Sequence, residues 1–386
     1  MACHFCIGVF MEKITVIGTG FICEYMRNGM RAVCENLDLR TSVHGIKGTD
    51  TDVEKRAEQL GFPVSVGGTY GVLCRQKPTI IVLCCSPEAA QGIVDSDLKP
   101  YYEKIRNENG VLPDLYSFIP SPSAVSIYND LGSGSNVVKI LPNIMDKVCG
   151  YDMSPVGINY ASYRADNWSE ERKQILKKFL APYGFTVQIN DMDSLVLLTG
   201  KITSHVCYEV SYDIADVCAQ NGFDVEINDI GNAMINAQHK ILPQMPVLSE
   251  AGDDSKIPEN LRDFFAPFMS AWFQGIRKFT TENADRVSFD EARHTDMCSF
   301  ALNVFPIRHE SRRQLRQDTK NAATKGGILE RGIEYYLSDV SKTVKDGVNK
   351  ALCGEKLEDD YYENIRRCSY EISRQAYLRS VNLTKK

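Results

Sequence analysis

The feature that most constrains the fold is an unbroken run, Thr79-Ile80-Ile81-Val82-Leu83-Cys84-Cys85, bounded by Pro78 and by Ser86-Pro87. A strand that is apolar on both faces must be covered on both, and a parallel sheet flanked by helices provides that cover. The run is far short of the ~20 apolar residues of a membrane-spanning helix. Other short stretches share its character: Ile14–Ile17, Ser42–Ile46, Tyr116–Ile119, Val137–Leu141 and Val156–Tyr160. Helical periods separate them, one running to about Glu35 and one over Val53–Leu60 with Asp52 placed to cap it. The alternation predicts an α/β domain of Rossmann type over residues 13–190, preceded by an extension over 1–12.

Beyond residue 190 the periodicity changes. Leu195, Leu198, Ile202, Val206, Val210, Ile214 and Val217 recur at spacings of three or four, one helix of about thirty residues ending near Asn221-Gly222. Further helices are predicted over 224–241, Phe264–Phe279, Ile328–Leu352 and Leu357–Val381, with a loop between Pro243 and Lys256. Residues 191–386 therefore read as an all-α domain. The stripe Phe264, Phe265, Phe268, Trp272 and Phe273 has helical spacing and suits packing better than a substrate wall. The long helix is apolar on more than one stripe, which predicts a second copy of the chain as its cover, an obligate homodimer through the C-terminal helices.

Charge excludes some partners. Lys and Arg number 44 and Asp and Glu 50, a net −6 with no basic block, so neither nucleic acid nor an anionic membrane surface is expected as partner. The 13 Cys are odd in number and irregular in spacing, and several sit inside apolar runs. Reduced, buried thiols in a cytoplasmic protein fit this pattern better than a disulfide framework. No basic region precedes the short apolar stretch at the N-terminus, so no secretion signal is expected. Cys3, His4 and Cys6 have metal-like spacing without a second pair, and His294, Cys298 and His309 form no regular set, so no metal is expected.

Gly18-Thr19-Gly20-Phe21-Ile22 follows the first strand and opens a helix. There a first Gly permits the turn, a second lets a pyrophosphate approach the backbone, and the helix N-terminus favours the negative charge. Cys23 stands where a third Gly or Ala is usual, so the fingerprint is incomplete. NAD or NADP is the expected cofactor. Lys47 and Thr49 after the second strand suit a ribose phosphate, whereas Asp50 and Asp52 suit a free diol. Asp50 falls nearest the strand end, which tips the balance towards NAD. Ser86, Pro87 and Asn143 follow strands on the side where ligands of such sheets collect; strand termination explains the prolines equally well.

Taken together these stretches resemble the pyrroline-5-carboxylate reductase family. The glycine loop matches its first turn, Val137-Val138-Lys139-Ile140-Leu141-Pro142-Asn143 resembles its "VVRxMPN" segment, and Met192-Asp193-Ser194-Leu195 looks like its entry into the long dimer helix. Gly326-Gly327 and Gly332-Ile333 keep the spacing of its substrate loop "SPGGTTxAGL". The resemblance, with gaps, covers Lys13 to about Leu378, and it implies a nucleotide-binding domain, a helical dimerisation domain and a small-molecule imine substrate.

The departures bear on function. Thr199 to His205 replaces the family's "SGSGPAY", Thr324-Lys325 replaces Ser-Pro, and Ile328-Leu329 stands where two Thr hold the ring and carboxylate. Pro243 to Arg293 is additional. A site built to hydrogen-bond a small imino acid loses that recognition when Thr-Thr becomes Ile-Leu, so proline synthesis itself is not expected. Hydride transfer to an imine, imino acid or keto group remains the implied reaction, and a nucleotide-binding module without turnover is the alternative. A 6-phosphogluconate-type dehydrogenase would pair Lys201 with an Asn on the same helix, which Cys207 and Tyr208 do not supply. Lys201 and His205, four apart, share one helix face and are the candidate acid–base pair, each equally readable as a structural or solvated side chain. Thr203, Ser204, Lys325, Gly326 and Gly327 are the candidate substrate contacts, with Lys325 placed for a carboxylate.

Overall fold

A computed structural model describes residues 12–36, 42–49, 51–142, 158–165, 168–183, 185–188, 193–241, 253–283, 313–314, 317 and 327–384. The described residues divide after Asp191 into two compact units.

The first unit runs β1 (Lys13–Ile17), α1 (Phe21–Asn36), β2 (Ser42–Lys47), α2 (Val53–Leu60), β3 (Val64–Val66), α3 (Thr69–Gln76), β4 (Ile80–Leu83) and α4 (Pro87–Ile93). A π turn over Val94–Leu98 joins α4 to α5 (Lys99–Asn107). Then come β5 (Asp114–Ser117), α6 (Ala124–Leu131), β6 (Asn136–Leu141), β7 (Ile158–Ala165), α7 (Glu170–Leu180) and β8 (Phe185–Gln188). The strands form one sheet in the order β3-β2-β1-β4-β5-β6-β7-β8, the doubly wound order of dinucleotide-binding folds. Pairing is parallel except between β6 and β7.

The two-faced run behaves as its composition requires. Ile80 and Val82 enter one core layer with Met26 and Met30 of α1 and Phe179 of α7. Ile81 and Leu83 enter the opposite layer with Leu73 of α3, Tyr102 of α5 and Ile127 of α6. All four are fully buried, each contributing about 1.5–3 kcal/mol relative to exposure. Two expectations need correction. The strand expected over Val156–Tyr160 is described from Ile158, continues to Ala165, and runs antiparallel to β6. Asp52 occupies the N-cap position of α2 but adopts a left-handed conformation, φ 54°, and its side chain makes no cap hydrogen bond.

At the amino end of the sheet, Arg172 of α7 closes a buried ion cluster. Its Nη1 lies 2.6 Å from Glu12 Oε1 and its Nε 2.7 Å from Asp114 Oδ2. It also donates to the Thr79 carbonyl at 3.2 Å, while Asn136 Nδ2 donates to Asp114 Oδ1 at 2.8 Å. The residues starting β5 and β6, and those just before β1 and β4, are thus tied to one helix. Burial pushes the Asp114 carboxyl up, and the Arg172 guanidinium pulls it back.

The second unit is helical: α8 (Asp193–Gln220), α9 (Ile227–Ile241), α10 (Glu259–Asn283), α11 (Ile328–Tyr335), a π turn over Tyr336–Val340, α12 (Ser341–Leu352) and α13 (Asp359–Thr384). The aromatic stripe lies in its core, where Phe264 stacks on Phe268 at 5.0 Å and Phe268 on Trp272 at 5.8 Å between ring centroids. Nine successive residues of α8, Val206 through Ile214, are all buried within this one chain. Even Asp213 is satisfied internally, accepting from Tyr336 Oη at 2.6 Å and Ser341 Oγ at 2.5 Å with Lys345 Nζ at 3.3 Å. Over Val206 through Ile214 the apolar girth is therefore covered by the chain's own helices, the additional helix α10 among them. Among the described residues no helix is long and apolar enough to cross a membrane.

Candidate functional site

β1 pairs at Ile17 with Ile46 of β2 and with Leu83 of β4, so the strand order reverses beside the residues that follow β1. Sheets of this kind open a crevice at such a point, on the carboxyl side. Gly18 enters it with φ 92°, its N–H donating to the Ile46 carbonyl at 2.9 Å. A Cβ there would lie 2.5 Å from Cys85 N and 2.7 Å from the Cys84 carbonyl. Only glycine fits, because the turn is pressed against the end of β4. Gly20 presents the opposite case. It is exposed, and a Cβ on it would meet nothing within 4 Å. The backbone thus borders open space where α1 begins and its positive dipole end lies. That is a cradle suited to a pyrophosphate.

The other loop residues take different parts. Thr19 is 5% exposed and packs inward against Gly45, so it contributes its backbone. Phe21 and Ile22 are half-buried. Ser86 is the N-cap of α4 and Pro87 its first residue, both at the carboxyl end of β4. Beneath the loop, burial pushes the Cys84 thiol up and the Cys85 thiol to about 11. These are protonated packing groups at neutral pH.

Beside Gly20 lies a pocket of about 400 Å³ lined by Thr19, Gly20, Lys47, Asp52, Lys55, Arg56 and Gln59. Arg56 of α2 organises it. Its guanidinium donates to the Thr19 carbonyl, to the Gly20 carbonyl at 2.8 Å, to Glu24 at 3.1 Å and to Gln59 at 3.0 Å. One side chain so links the glycine loop to both helices that flank it. Lys47 ends β2 and donates to the Thr51 carbonyl. Among the described residues no carboxylate pairs with Lys47 or Lys55. Lys55 and Arg56 join Lys47 here although the sequence singles out Lys47 alone; their place in the first turn of the helix after the second strand is the signal that finds them.

The remaining candidates are distributed differently. Lys201, Ser204 and His205 belong to α8, with side chains outside the described part of the structure. Thr203 is turned into helix packing, not towards a cleft: it is fully buried, with Oγ1 2.9 Å from the Thr199 carbonyl and 2.7 Å from Ser373 Oγ of α13. Gly327 caps α11 in extended conformation, and the next residue, Ile328, is 8% exposed and packs with Ala376 and Leu329. Asp50, Asn143, Lys325 and Gly326 lie outside the described residues, as do Cys3, His4 and Cys6. Among the described residues no cluster of His, Cys, Asp and Glu could hold a metal ion.

No protein-family model matches the chain, and no curated protein matches it by sequence. Solved structures similar to it include a pyrroline-5-carboxylate reductase from Coxiella burnetii, 14% identical over 90% of this chain and 100% of that one, TM-score 0.37. Prephenate dehydrogenase from A. aeolicus, in complex with hydroxyphenyl propionate and NAD+, is 10% identical over 90% and 95% of the two chains, TM-score 0.39. D-mandelate dehydrogenase with NADH and anilino(oxo)acetate is 9% identical over 94% and 99%, TM-score 0.40.

Proposed function

We propose that this chain is a nicotinamide-dinucleotide-dependent oxidoreductase whose first unit holds the dinucleotide over Gly20. The observation that carries the reading is the pairing of Gly18 and Gly20: one glycine is forced by close packing, the other borders open space beside a cationic pocket. The bound coenzyme would supply or accept hydride. The chain's own contribution is to seat the pyrophosphate on the loop, hold that loop through Arg56, and offer Lys201 and His205, one turn apart on α8, for proton transfer. An imine, imino acid or keto compound is the substrate class. Proline synthesis is not proposed, because Ile328, standing where the resembling family places a threonine, is packed against Ala376.

That same packing, with Thr203 bonded inside a helix pair, favours a second reading, a nucleotide-binding module without turnover. A second copy completing the site is what the resemblance implies; Val206 through Ile214 of α8 are covered by their own chain. Titrating the protein with NADH and NADPH, then adding cyclic imines, 2-oxo acids and amines, separates the readings. Binding with coenzyme oxidation supports the oxidoreductase, binding without oxidation across the panel supports the module, and no binding rejects both.

A further inference from the structure

The pocket beside Gly20 specifies its ligand further. We infer that the dinucleotide this chain prefers carries a phosphate on its adenosine ribose, recognised by Lys47 and Lys55. The inference rests on the proposed dinucleotide site and deepens it.

In doubly wound folds the residues at the end of the second strand meet the adenosine ribose, and a carboxylate there suits a free diol, a cation a phosphate. β2 ends on Lys47, a cation, and the pocket it borders also receives Lys55 and Arg56 from the first turn of α2. Arg56 is matched by Glu24 at 3.1 Å and engaged by two loop carbonyls, so its part is to hold the loop. That leaves two lysines facing one acid, Asp52, around the same space. With Asp52 the only acid in the lining, a neutral diol would leave a surplus positive charge there, whereas a dianionic phosphate compensates it. The sequence balance towards NAD relied on Asp50, which lies outside the described residues; the described side chains favour NADP.

The test measures dissociation constants, not turnover. NADPH, NADH, 2′,5′-ADP and 5′-AMP are titrated by calorimetry into the full chain and into the Lys47→Gln/Lys55→Gln double variant. The expected result is NADPH tighter than NADH by about tenfold or more, and 2′,5′-ADP tighter than 5′-AMP to a similar degree, on the scale of charge-assisted contacts. In the double variant that preference should shrink towards one while the NADH constant stays within about twofold, since Arg56, which is retained, is the side chain that holds the loop seating the pyrophosphate. Equal or tighter binding of NADH by the wild-type chain overturns the inference and leaves the dinucleotide site standing. Failure of both coenzymes to bind overturns the two together. If the double variant does not fold, 2′,5′-ADP against 5′-AMP on the wild-type chain decides alone.

Discussion

The two ends of the sheet in the first unit use similar side chains to opposite purposes. At the amino end, Arg172 meets Glu12 and Asp114, and the carboxylate side chains are only 5% and 3% exposed. Each of these charges has its partner, and both carboxylates are shielded from water. At the carboxyl end, Lys47 and Lys55 border an open pocket with Asp52 as the only acid among its lining residues. A buried, closed cluster stabilises strand order but offers nothing to a ligand. An open cluster with surplus charge contributes little to stability and leaves its electrostatic attraction for an incoming anion.

The comparison breaks most readily at the amino end. Arg172→Ala strands two buried carboxylates, and urea unfolding should record a loss of about 3–5 kcal/mol, with nucleotide affinity of the folded fraction unchanged. A loss below about 1 kcal/mol would mean that the cluster behaves like a surface pair. Next comes the glycine loop. Gly18→Ala forces a side chain to φ 92° and to within 2.5 Å of backbone, for about 1–3 kcal/mol of stability. Gly20→Ala should unfold within about 0.5 kcal/mol of wild type yet weaken nucleotide binding, since its new methyl fills the space left for the ligand. If Gly20→Ala binds normally in a calorimetric titration, the cradle lies elsewhere.

Arg56→Ala sharpens the contrast with Arg172. Its partners are loop carbonyls and a carboxylate that is 35% exposed, so stability should fall by about 1 kcal/mol or less while dinucleotide affinity falls by about tenfold. The reverse ranking of the two arginines in paired melts and titrations would refute the division of labour between the ends. The smallest effect belongs to His44 of β2, whose Nε2 lies 2.7 Å from Ser65 Oγ. Burial first, then the charge of Arg75, lowers its pKa from the ordinary 6.5. The unfolded chain takes the proton more readily, so this contribution is present above pH 6.5 and is lost as pH falls from 6.5 through the folded value. Tm followed against pH should lose that slope in His44→Gln, and an unchanged slope would assign it to another group.

Much of this was legible in the chain. Thr79–Cys85 could only be a strand covered on both faces, and Gly18 could be read as a turn residue from its place after β1. The helical period from Leu195 to Val217 located α8 to within a few residues. The short strands β3 and β8, three and four residues long, carried too little pattern to stand out. The same helical stripe was silent about partners: an apolar girth demands cover, but periodicity does not say which chain supplies it. Thr203 looked like a site residue because it stands beside Ser204 in the stretch that holds Lys201 and His205, and the helix packing of α13 claimed its hydroxyl.

Local order along the chain therefore determined the elements, the glycine turn and the expected dinucleotide chemistry, because hydrophobic periodicity and backbone sterics act between near neighbours. Tertiary structure alone decided which charges are spent and which remain. Arg172 meets Glu12 across 160 positions, and Arg56 meets Gly20 across 36. Whether a cation is a staple or a ligand contact depends on what the folded chain brings within about 4 Å of it and on whether water still reaches it, and neither is written in the spacing of the residues.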